Sequence, residues 1–69
     1  MKYKNVTDEE WKGFDITIYE MLDDTYTVDA KKPCGELVQR WEGVKSFNCA
    51  MVRAVEVIED YGAASQEGR

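Results

Sequence analysis

Two stretches in the first half of the chain alternate between apolar and polar side chains. Over residues 14–22, Phe14, Ile16 and Ile18 face one way while Asp15, Thr17 and Tyr19 face the other. That is the period of a half-buried strand built from strong β-formers. Asp23-Asp24 supplies a turn. Residues 25–32 then alternate again, with Tyr26, Val28 and Ala30 against Thr25, Thr27, Asp29 and Lys31. Both inward sets are even-numbered, so facing residues have an even sum and the loop has an odd length. Asp23-Asp24-Thr25 meets that condition and pairs Leu22 with Tyr26 and Ile18 with Ala30. Glu20 falls on the apolar side, so either a bulge re-aims it or it lies at the rim of the sheet.

Elsewhere the pattern is helical or mixed. Thr7-Asp8-Glu9-Glu10 has the form of a capping box, with Val6 and Trp11 spaced as a hydrophobic staple and Asp8 and Glu9 suited to the positive end of a helix dipole. With Gly13 as a left-handed stop, one or two helical turns are expected over residues 8–12. Pro33-Cys34-Gly35-Glu36 reads as a turn. Residues 37–42 fit a short helix begun at Pro33 or a third strand. Their brevity, with Gly35 before and Gly43 after, favours the strand, with Leu37 and Trp41 on one face and Val38, Arg40 and Glu42 on the other. Ser46 is a good N-cap. Phe47, Ala50, Met51, Ala54, Val55 and Ile58 mark one face of a helix, with Arg53, Glu56, Glu59 and Asp60 largely on the opposite face and Gly62 as its stop. Residues 63–69 read as a polar tail.

The expected fold class is therefore α+β: a short N-terminal helical turn, a three-stranded antiparallel sheet, and one long C-terminal amphipathic helix packed on one sheet face. Residues 1–62 form a single small domain in this reading. Its expected core is Trp11, Phe14, Ile16, Ile18, Tyr26, Val28, Leu37, Trp41, Phe47, Met51, Val55 and Ile58.

Composition agrees with a globular chain. Of the 69 residues, 43% are apolar and 33% charged, outside the range of disordered sequences. A domain of this size buries only about 60% of the surface its unfolded chain exposes, so modest stability is expected. The start at Met1 is that expected of a complete small protein. Residues 1–10 hold no apolar run of a secretory signal, and a cytoplasmic protein is expected.

Charge narrows the partners. The net charge is −5. Residues 1–30 hold eight acids and three bases, whereas residues 31–69 hold six of each, so the whole excess lies in the first half. A phosphate backbone needs a basic footprint, so direct nucleic-acid binding is not expected. Electrostatic steering favours a basic protein partner, although acidic charge also serves solubility alone.

The chemistry of an enzyme is poorly represented. There is no His, which removes the commonest general base and zinc ligand together. Cys34 and Cys49 form no Cys-x-x-Cys pair, and a cytoplasmic setting disfavours a disulfide between them. Cys49 sits in the first turn of the expected helix, where the dipole lowers a thiol pKa, but a small packed side chain is its ordinary role. Asp23-Asp24 and Glu59-Asp60 are adjacent acids of the solvated kind, and Asp23-Asp24 lacks the spaced ligands of an EF-hand loop. No cofactor and no metal are expected.

The order of residues resembles two families of small domains. Asp23-Asp24-Thr25-Tyr26-Thr27-Val28, Pro33-Cys34-Gly35 and Ser46-Phe47-Asn48-Cys49-Ala50 resemble the "DDxYxV" strand, Pro/Gly turn and Ala-rich helix of HicB-like antitoxin domains. Cys34-Gly35-Glu36 and Gly43-Val44-Lys45-Ser46 resemble the "NGE" turn and "GYKS" helix start of YegP-type domains of unknown function. The Pro33-Cys34-Gly35 order departs from the HicB pattern, and neither a DNA-binding segment nor a clear fourth strand is expected. The first resemblance implies a protein that neutralises a small basic toxin; the second implies no particular activity.

A binding or inhibitory module is thus the leading expectation, of the antitoxin or phage-inhibitor type, acting on a basic nucleic-acid enzyme. Its contacts would come from Asp15, Thr17, Tyr19, Asp23, Asp24 and Asp29 on the open sheet face and hairpin turn. The alternative is a non-enzymatic assembly protein that forms a homodimer through its sheet. A thiol-dependent enzyme is the third and has only Cys34 and Cys49 behind it.

Overall fold

The computed structural model describes residues 3–67. Four antiparallel strands form one sheet in the order β1-β2-β3-β4, and one helix follows. The strands are β1 (Tyr3–Trp11), β2 (Phe14–Met21), β3 (Tyr26–Lys31) and β4 (Leu37–Val44); the helix is α1 (Phe47–Glu67). The expected three-stranded sheet with an N-terminal helical turn is therefore corrected to a four-stranded meander with no N-terminal helix among the described residues.

The correction has a local cause. Lys12 and Gly13 both have positive φ, 53° and 85°, and they separate the facing pair Trp11 and Phe14. This is the two-residue hairpin turn whose twist matches that of the flanking strands. A helix confined between Thr7 and Gly13 would be too short to offset its nucleation cost. As a strand, the same segment pairs with β2 over most of its length. Thr7 then faces Ile18 and Asp8 faces Thr17, so the apparent capping box becomes two alternating faces. Asn5, Thr7, Glu9 and Trp11 share the helix side; Val6, Asp8 and Glu10 share the other.

The remaining turns are three-residue loops of one construction. Leu22-Asp23-Asp24 is closed by the Met21 N–H donating to the Thr25 carbonyl, and Asp24 carries the positive φ of 70°. Pro33-Cys34-Gly35 is closed by the Lys32 N–H donating to the Glu36 carbonyl, with Gly35 at 96°. The first loop is odd in length, as expected, but begins one residue earlier than Asp23-Asp24-Thr25. Ile18 consequently faces Val28, and Ile16 faces Ala30. A loop over 23–25 would place β-branched Thr25 in the left-handed region, which Asp tolerates far better. Glu20 lies at the rim, facing Tyr26 and Asn5 and accepting a hydrogen bond from Asn5 Nδ2 at 3.2 Å.

Strand β4 runs past Glu42, the expected end, to Val44. Between the facing pairs Val28–Trp41 and Tyr26–Val44, β3 contributes one residue and β4 two. Gly43, with φ of 70°, sits in that bulge and returns Val44 to the core side. Ser46 caps α1, its Oγ accepting from the Cys49 N–H at 3.1 Å. The helix continues through Gly62, where a stop was expected, to Glu67, so residues 63–67 are helical and not a tail. Residues 68 and 69 of the expected tail, like Met1 and Lys2 at the start, lie outside the described residues.

The helix packs across β2, β3 and β4. The core between them is Ile16, Ile18, Val28, Ala30, Val44, Ala50, Ala54 and Ile58, with Phe14, Tyr26, Trp41, Met51, Val55 and Val57 partly buried around it. Trp11, Leu37 and Phe47, expected inside, are 38%, 48% and 39% exposed. The helix faces the sheet with Ala50, Ala54 and Ile58; the two small alanines permit close approach, while Phe47 and Tyr61 lie at the perimeter. At that perimeter Phe14 meets Tyr61 edge-to-face at 5.6 Å, and Tyr26 meets Phe47 at 6.2 Å.

Candidate functional site

The sheet face opposite α1 carries every second residue of the four strands. One row crosses the whole sheet: Asp8 faces Thr17, Thr17 faces Asp29, and Asp29 faces Arg40. Thr17 Oγ1 donates to Asp8 Oδ1 at 3.0 Å. Arg40 holds Asp29 in a fork, Nε to Oδ1 at 2.6 Å and Nη2 to Oδ2 at 2.8 Å. Asp29 is only 1% exposed, whereas the Arg40 side chain is 49% exposed. The Asp29 hydrogen bonds, followed by its charge, hold the Arg40 pKa above its ordinary value; the nearby charge of Glu42 adds a little to this.

Towards the β2–β3 turn, a second row forms a shallow depression of about 410 Å³ lined by Tyr3, Tyr19, Met21, Thr27, Arg40 and Glu42. Tyr3 and Tyr19 meet edge-to-face with centroids 5.1 Å apart. Towards the other end, Asp15 faces both Glu10 and Lys31. Among the described residues, no ion pair or side-chain hydrogen bond engages Glu10, Asp15 or Glu42.

The six residues expected to form a contact patch separate into three groups. Asp15, Thr17 and Tyr19 do share the open face, Asp15 and Tyr19 towards its two ends and Thr17 nearly buried between them. Asp29 lies on the same face but is buried and neutralised by Arg40, which makes it part of the framework. Asp23 and Asp24 sit in the β2–β3 turn, away from the centre of that face. Asp23 Oδ1 accepts from the Thr25 N–H at 3.1 Å and from the Thr25 hydroxyl at 2.6 Å. These bonds, the hydroxyl's first, hold the Asp23 pKa below the ordinary carboxylate value. Asp24 accepts from Lys4 Nζ at 2.6 Å. Both turn acids thus already serve the fold.

The face also holds residues outside that set. Asp8 and Glu10 fall in the stretch expected to be helical, residues 8–12, and Tyr3 lies before it in a segment with no expected element. Lys12-Gly13 between two aromatic residues was the available signal for a hairpin. Glu42 was placed on the correct side of its strand but left out of the patch.

Neither cysteine is bonded to the other; both are exposed. Among the described residues, no cluster of three or more His, Cys, Asp or Glu side chains is arranged to hold a metal, and no helix is long and apolar enough to cross a membrane. Comparisons with family models, curated proteins and solved structures find no match to this chain.

Proposed function

We propose that this protein is a binding module whose open sheet face docks a basic protein. The observation that carries this reading is the charge on a sheet face that no other element covers among the described residues. Asp8, Glu10, Asp15, Asp29 and Glu42 stand there against Lys31 and Arg40, five acids and two bases, a net of −3. Antiparallel sheets commonly leave one face to solvent, but such a face is usually mixed in sign. An excess of one sign speeds encounter with a partner of the other and rejects partners of the same sign. An inhibitor or antitoxin acting on a basic nucleic-acid enzyme is the sharpest form of this reading.

The test is a tagged capture experiment with mass spectrometry, at low and at high salt, beside a Glu10→Lys, Asp15→Lys double variant. The expected result is a captured protein of basic isoelectric point that is lost at high salt and lost with the double variant. Capture indifferent to both salt and charge reversal would overturn the reading.

A second reading is homodimerisation through β4. This strand is an edge of the sheet, and Leu37 beside it is 48% exposed. Edge strands offer free backbone groups to a second copy. A strict monomer in sedimentation at high concentration overturns it.

A further inference from the structure

We infer that the depression between Tyr3, Tyr19 and Glu42 is the anchor point for one cationic side chain, an arginine, of that basic partner. This rests on the acidic-face reading and narrows it to a place and a residue type.

The charges inside the depression decide the sign of its occupant. Arg40 lines it, but its charge is matched by Asp29 through two short hydrogen bonds. Glu42 is the one carboxylate in the lining; among the described residues it forms no ion pair or hydrogen bond, although its charge also acts on Arg40, and with Arg40 matched by Asp29 the depression is net negative by one charge. An anion entering it would meet Glu42 and gain only the leftover donors of a cation already neutralised. A cation would meet Glu42 and two phenol rings, beside an Arg40 guanidinium whose charge Asp29 already matches.

The rings decide which cation. A guanidinium is planar, weakly hydrated and able to lie against an aromatic face while its edge donates to a carboxylate; a lysine ammonium is a compact, strongly hydrated point charge. Tyr3 and Tyr19, packed edge-to-face, both line the depression, and Met21 beside them adds a polarisable apolar side chain. A volume of about 410 Å³ holds a side chain and not a folded segment. Tyr3, Tyr19 and Met21 in the lining also set this place apart from Glu10 and Asp15, which offer charge without a stacking surface.

The experiment is an amide NMR titration of the full chain with a nona-arginine peptide at low salt, repeated on three variants. Tyr19→Leu removes a ring, Glu42→Gln removes the carboxylate, and Asp60→Asn removes one negative charge from the helix surface far from this face. The expected result is a set of shifts centred on Tyr3, Tyr19, Met21, Thr27 and Glu42. Tyr19→Leu and Glu42→Gln should each weaken binding by about threefold or more relative to Asp60→Asn. Peptide binding that shifts Glu10 and Asp15 instead, with no greater loss in Tyr19→Leu and Glu42→Gln than in Asp60→Asn, overturns the anchor and leaves the acidic-face reading standing. Absence of shifts anywhere on the open face overturns both. Glu42 is exposed, so Glu42→Gln keeps the test decisive if Tyr19→Leu does not fold.

Discussion

Asp29 illustrates how one residue can look like a contact and serve as a fastener. On a strand facing solvent, its charge reads as an offer to a partner. In the fold it is 1% exposed and held by Nε and Nη2 of Arg40. A buried carboxylate without its cation carries a desolvation cost that nothing offsets, so the pair stands or falls together. Asp29→Asn should lower unfolding free energy by about 1–3 kcal/mol, measured by urea titration. Arg40→Gln should lose a similar amount by leaving Asp29 buried and alone, and the double variant should lose less than the two losses combined. Additive losses would show that the pair is not coupled. Its pairing was out of reach of the alternation pattern, which ranks residues by side and not by what lies opposite.

At the level of elements, the helix was legible because its period repeats over many turns and Ser46 caps it. Strands β2 and β3 were legible because both alternate and a turn joins them. Strand β1 was not. It is an edge strand whose side chains are mostly polar, so it lacks the apolar alternation that marks β2 and β3, and its one local signal was the Lys12-Gly13 turn. Helix packing raises a related point. Ala50 and Ala54 are fully buried, and the helix can approach β2, β3 and β4 because these side chains are small. Ala54→Leu should overfill that contact and cost about 1–3 kcal/mol. Val52→Leu, at a position 48% exposed, should change stability by about 0.5 kcal/mol or less. Thermal unfolding of both variants checks the contrast; equal effects would mean that α1 does not sit on the sheet through its alanine face.

Across the whole molecule, the first hairpin is tied to the far part of the helix by side chains. Trp11 Nε1 donates to Glu59 Oε2 at 3.1 Å, and Lys12 Nζ lies 2.9 Å from the same carboxylate. Lys12 first, and Trp11 next, lower the Glu59 pKa below its ordinary value, as Thr25 does for Asp23. A carboxylate whose pKa is lower folded than unfolded binds its proton more readily in the unfolded chain. Its contribution is therefore complete above the unfolded pKa and is lost as pH falls through the folded one. Stability should decline from about pH 4 downward. Glu59→Gln should make that decline shallower, read from urea midpoints across the acid range. An unchanged acid slope would remove Glu59 from the account.

The chain announces its acidic half, its β2–β3 hairpin and its capped helix without help, because each depends on residues close together in sequence. Charge can be counted, and a period of two or of 3.6 shows itself within a short window. The fourth strand, the burial of alanines in place of Trp11, Leu37 and Phe47, and the separation of Asp29 from Asp15 and Tyr19 all depend on which segments come to lie side by side. Those choices follow from backbone pairing and close packing between distant parts of the chain. Asp8, Glu10, Asp15 and Asp29 of the acidic first half thus came to share one face, with a fastener in Arg40 and an aromatic-lined depression beside Glu42, only when β1 paired with β2 and β4 with β3.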